Sequence, residues 1–75
     1  MTVYDEVVAV AKDYMGPSAE RFVNRQLNGH LNIEPHQLAR HHLEELAKWC
    51  YTSGKLIMRD DRAREFSNRV QGLRG

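Results

Sequence analysis

Four histidines stand close together in this chain, at His30, His36, His41 and His42, and Glu45 follows His41 by four residues. On a helix that step puts an imidazole and a carboxylate on one face, a spacing that can hold zinc or another transition metal. The set is open, with no second such pair and no cysteine at finger-like spacing. A metal-responsive bundle built on His41 and Glu45 is therefore kept as an alternative. The reading adopted is no metal and no cofactor, with His42 hydrogen-bonded at the edge of a core and His36 and His41 solvated.

Cys50, between Trp49 and Tyr51, is the only thiol. A nucleophilic cysteine needs a helix N-terminus or a cation to lower its pKa. Cys50 falls late in a helical pattern and on its apolar stripe, which is the place of a packing residue. Glu44-Glu45 and Asp60-Asp61 are adjacent carboxylates, and neighbours on a helix diverge by about 100°, so neither pair faces one substrate. No phosphate loop or nucleophile elbow is present. The chain reads as a protein without enzymatic activity.

The last third is basic. Residues 55–75 carry six Lys and Arg against three Asp and Glu, in a chain of net charge +1. Arg62 and Arg69 are seven apart and share a helix face, with Arg59 nearby, so a DNA-binding regulator is a further alternative. Asp60-Asp61 would open the same helix and repel a phosphate backbone where a recognition helix makes its contacts. Nucleic acid is therefore not the expected partner.

These residues need elements to position them, and the pattern is helical throughout. Thr2 caps a first helix whose stripe is Val3, Val7, Val8, Ala11, Tyr14 and Met15. Gly16-Pro17 ends it, because Gly accepts terminating angles and the residue before Pro avoids helical ones. Pro17 or Ser18 opens a second helix along Ala19, Phe22, Val23, Leu27 and Leu31, weakened at Gly29. Pro35 suits the first turn of a third helix, with Glu34 or Asn32 as cap and Leu38, Ala39, His42, Leu43, Leu46, Ala47 and Cys50 as stripe. It ends at Gly54 or runs on to Ile57. Asp60 or Asp61 caps a fourth, with Ala63, Phe66, Val70 and Leu73 inward. The expectation is one all-α domain over residues 1–75, a compact bundle of four helices with the third the longest.

Size makes a second demand. A chain of 75 residues buries only about 60% of its unfolded surface, and such a core rarely supplies more than about 3–5 kcal/mol. One cysteine excludes an intrachain disulfide. Self-association, most simply a homodimer, is the expected staple. Aromatic residues and Met are enriched at protein interfaces, so Trp49, Tyr51, Leu56 and Met58 are the expected partner-binding residues. No apolar run approaches the roughly 20 residues of a membrane span. An acidic N-terminus and a single Cys favour a cytoplasmic location.

One motif carries a resemblance. Tyr14-x-Gly16-Pro17-x-Ala19, followed by Phe22-Val23, Leu43-x-x-Leu46-Ala47 and Arg62-x-x-x-Phe66, resembles small helical accessory modules found beside bacterial signalling domains, over roughly residues 8–70. The resemblance implies a regulatory or interaction role without catalytic residues. The expected function is thus that of a non-catalytic helical domain acting through protein–protein association.

Overall fold

A computed structural model describes all 75 residues. Helix α1 runs Val3–Met15, α2 Ala19–Gln26, α3 Leu43–Gly54 and α4 Asp60–Gly72. There is no strand. Three helices of twelve or thirteen residues, α1, α3 and α4, form the frame. Helix α2 has eight residues and continues into a wider π-type turn, Leu27–Leu31. The architecture is all-helical as expected, on three long helices and one short one.

Thr2 starts α1: its hydroxyl accepts from the Asp5 amide at 3.0 Å, and the Asp5 carboxylate accepts from the Thr2 amide at 3.3 Å. This reciprocal pair satisfies two of the donors that a helix start leaves open. Val7, Val8, Val10 and Ala11 of α1 are buried. They meet Ala19, Val23 and Leu27, Leu43, Leu46, Ala47 and Cys50, and Phe66 and Val70 in one core. The most extensive helix pair is α3 with α4. Its closeness comes from Gly54, buried at the end of α3, where an added Cβ would lie 3.5 Å from Ala63 and 3.8 Å from Phe66.

The elbow at Gly16 is a backbone device. Gly16 has φ 59° and ψ −129° and donates its amide to the Lys12 carbonyl, and Pro17 then enters a short 3-10 turn, Gly16–Ser18. An added Cβ at Gly16 meets nothing within 4 Å. Substitution therefore costs only conformational strain, about 1–3 kcal/mol. Gly16→Ala should lower Tm by about 4–8 °C for each kcal/mol lost. Gly29→Ala, within the π-type turn, without a positive φ and with equally open surroundings, should instead raise stability by about 0.4–1 kcal/mol. Thermal melts of the two variants check the opposite signs.

Two expectations need correction. The third helix neither begins at Pro35 nor is the longest: α3 has 12 residues against 13 in α1 and in α4. Residues 35–42 form two 3-10 turns, Pro35–Gln37 and Arg40–His42, joined by extended backbone at Leu38 and Ala39. The extended pair drops Leu38 into the core and lets His42 Nδ1 accept the Ala39 amide at 3.0 Å. Arg40 then reaches Glu6 at 2.8 Å and the Leu73 carbonyl at 2.5 Å, tying this segment to α1 and to the end of α4. The second correction concerns α4, whose N-cap is Arg59. Asp60 and Asp61 lie in the first helical turn, where the dipole favours negative charge. Helix α3 ends at Gly54, and the chain tightens into a turn with Ile57 and Met58 both donating to the Gly54 carbonyl.

Candidate functional site

Three of the four histidines have a neighbour that positions the ring. His30, on the π-turn, stacks flat on Trp49 of α3, with ring centroids 3.8 Å apart and planes 5° from parallel. The Trp49 indole N–H is buried there without an acceptor. His41 lies against His42 at 4.0 Å, and His36 is exposed. Nowhere do three His, Cys, Asp or Glu side chains gather as a metal would require, so His41 and Glu45 stand without further ligands. Cys50 is completely buried. Burial pushes its thiol up to about 12, the reverse of what a nucleophile needs.

The C-terminal arginines are engaged within the molecule. Arg59 lies 3.7 Å from Asp61, Arg64 3.1 Å from Asp60, Arg69 3.0 Å from Asp13 and Arg74 3.5 Å from Glu44. The guanidinium carbons of Arg62 and Arg69 lie 4.8 and 5.6 Å from the centre of the Tyr14 ring, within cation–π range. Tyr51 of α3 donates its hydroxyl to Asp60. That bond raises the pKa of Tyr51, and the same bond, followed by the Arg64 contact, lowers that of Asp60. The group fastens the start of α4 to α3.

The four residues expected to bind a partner do not form one face. Trp49 is half-buried beneath His30, Tyr51 is half-buried at the start of α4, and Met58 packs inward near Gly54. Leu56 alone stays open, 80% exposed, and the residue beside it, Ile57, is 63% exposed. Of the large apolar residues only Met1 is exposed as well. Leu56 and Ile57 form one lip of a cleft of about 380 Å³ between the end of α3 and the face of α2. Met15 and Phe22 supply the remaining apolar lining, and Arg21 and Arg25 the opposite, charged lip. At the floor Gln26, 1% exposed, donates to the Phe22 carbonyl at 3.3 Å and accepts from the Ser53 hydroxyl at 2.9 Å. The Ser53 bond ties α2 to α3, and the Phe22 bond, within α2, fixes the Gln26 amide at the base of the cleft.

Arg21 and Arg25 were not among the residues that the sequence singled out. A signal was there. Arg21 has Pro17, Ser18, Asn24 and Arg25 at the positions three and four away, and Arg25 has Arg21, Phe22, Asn28 and Gly29. No carboxylate can pair with either along the helix. In the folded chain they are the only two arginines with neither an ion-pair partner nor an aromatic ring beneath them.

No protein-family model, curated protein or solved structure matches this chain. No helix is long and apolar enough to cross a membrane.

Proposed function

We propose that this chain is a non-catalytic interaction domain that binds a partner protein's amphipathic helix in the cleft between α2 and the end of α3. The observation that carries the reading is the pair Leu56 and Ile57, 80% and 63% exposed at the lip of an apolar cleft. Every other large apolar residue except Met1 packs to some degree. Leaving two aliphatic side chains in water forgoes roughly 1.5–3 kcal/mol each relative to full burial. Covering them is the stabilisation that the surface offers a partner. A helix is the fitting element, because a peptide strand needs a sheet edge and this fold has none.

The resemblance carried by the Tyr14–Ala19 turn points to the same kind of role. The arginines proposed for DNA contacts, Arg59, Arg62 and Arg69, lie beside Asp61, Tyr14 and Asp13, and the two carboxylates would oppose a phosphate backbone there. A second copy is a poorer occupant of this cleft. An isologous pair must be self-complementary, and this cleft offers two arginines and no carboxylate of its own to meet them.

The test uses an uncharged amphipathic peptide with Leu on one face and Gln on the other, titrated into isotope-labelled protein and followed by amide shifts. Shifts centred on Phe22, Ser53, Leu56 and Ile57 are expected. Leu56→Ser with Ile57→Ser should weaken binding about tenfold or more, the loss of about 1.4 kcal/mol or more of apolar contact, without lowering Tm. Absence of shifts at the cleft would refute the reading.

A further inference from the structure

The charge around the cleft says more about its occupant. Arg21 and Arg25 are both exposed and one helical turn apart. Like charges at that spacing slightly destabilise their own helix. Each of the other six arginines has an acidic or aromatic neighbour within the fold: Arg40 has Glu6, Arg59 has Asp61, Arg64 has Asp60, Arg69 has Asp13, Arg74 has Glu44, and Arg62 has the Tyr14 ring. The fold leaves this pair alone, and it leaves them on the lip opposite its two most exposed aliphatic side chains after Met1. Glu20, next in sequence to Arg21, faces away, lining a separate hollow with Met1, Tyr4 and Lys12. One lip is thus apolar and the other is cationic, with no carboxylate among the nine lining residues.

Resting on the proposed function, we propose that the partner helix is acidic: two bulky apolar side chains one turn apart lie against Met15, Phe22, Leu56 and Ile57, and Asp or Glu on the adjoining face meets Arg21 and Arg25. Length agrees with this. Along the cleft α2 runs eight residues, Ala19–Gln26, about 12 Å at about 1.5 Å per residue, which accommodates two turns of a partner. Arginine suits the role because its planar fork takes a carboxylate in two parallel hydrogen bonds. An anionic lipid surface shares the negative charge but is flat, and the apolar lining here is concave, with half-buried Phe22 lying inside the cleft.

The experiment compares three helical peptides with the same two-leucine face and with Glu, Gln or Lys on the flanking positions, titrated at about 30 mM and about 300 mM salt. The Glu peptide should bind about 5–10-fold more tightly than the Gln peptide at low salt, and the Lys peptide more weakly than both, with the spread shrinking at high salt as screening sets in. Arg21→Gln with Arg25→Gln should bring the Glu and Gln peptides within about twofold of each other. Lys12→Gln with Lys48→Gln, the same loss of charge outside the cleft, should preserve the preference. Equal affinity of all three peptides at the cleft would overturn the acidic partner and leave the interaction domain standing. No binding of any peptide at the cleft would overturn both. Co-sedimentation with vesicles containing half phosphatidylglycerol, lost in the Arg21 and Arg25 variant, would overturn the protein partner in favour of a lipid surface. A light-scattering mass near twice 8.7 kDa, reverting to the single chain with Leu56→Asp, would overturn it in favour of a second copy.

Discussion

Phe66→Ala is expected to leave this chain largely unfolded at 25 °C. Phe66 is completely buried and lies where the helices meet. Its ring is 5.3 Å from Tyr14 of α1 and 5.8 Å from Phe22 of α2, in tilted geometries, and its Cδ2 lies 3.8 Å from where a Cβ on Gly54 of α3 would be. Emptying such a site removes the transfer free energy of the ring and leaves a cavity, together about 3–5 kcal/mol. A domain of this size holds about the same amount in total. Far-ultraviolet circular dichroism should therefore show most helix lost, while Phe66→Leu should remain folded with a lowered Tm. A Phe66→Ala protein melting within a few degrees of wild type would place the centre of the core elsewhere.

Phe66 also marks where sequence reading succeeds. In α4 the steps from Ala63 to Phe66 to Val70 are three and four residues, and all three are buried. In α1 Val7, Val8 and Ala11 behave alike. Long regular stripes leave one geometry that buries them. The stripe from Leu38 through Ala39, His42 and Leu43 has helical spacing too, but the backbone there is extended at Leu38 and Ala39. Apolar spacing states which side chains turn inward; two 3-10 turns and an extended link turn Leu38 and Leu43 inward as well. Contacts remote in sequence support that path alongside the local Ala39–His42 bond, since Arg40 reaches Glu6 and the far end of α4.

The cleft was legible only in pieces. Leu56, Ile57 and Met58 are visible as an apolar run after the third helix, and all three call for packing. The turn after Gly54 delivers only Met58 inward and sends the other two out. Trp49 and Tyr51 have the composition of an interface, yet each has an internal partner on another element, His30 for one and Asp60 for the other. Pairings of that kind are set by tertiary packing. The free arginines of α2 are the opposite case, since the absence of a carboxylate three or four residues away is written in the sequence itself.

Cys50 should make the stability of this protein fall as pH rises past 9. Burial raises its thiol from an ordinary 9.0 to about 12, so the folded chain keeps a proton that the unfolded chain releases above pH 9. Fewer protons are then bound in the unfolded state, and stability declines as pH rises. The contribution is complete below pH 9 and is lost progressively between pH 9 and pH 12, approaching a slope of about 1.4 kcal/mol per pH unit, for a total of about 4 kcal/mol. Tyr4, whose hydroxyl is raised chiefly by burial from 10.0, adds to the decline as pH nears and passes 10. Between pH 9 and pH 10 the comparison with Cys50→Ala isolates the thiol. There the wild type should lose about 1 kcal/mol more than Cys50→Ala in urea melts. The same burial governs chemistry at pH 8. Ellman's reagent can reach Cys50 only through opening of the core, so the reaction should run about 10²–10³-fold slower than in urea, tracking the population of the open state. Phe66→Ala, with the core already open, should react at once. Parallel pH dependence in wild type and Cys50→Ala, or fast labelling of the native protein, would show that the thiol is not sealed in the core between α3 and α4.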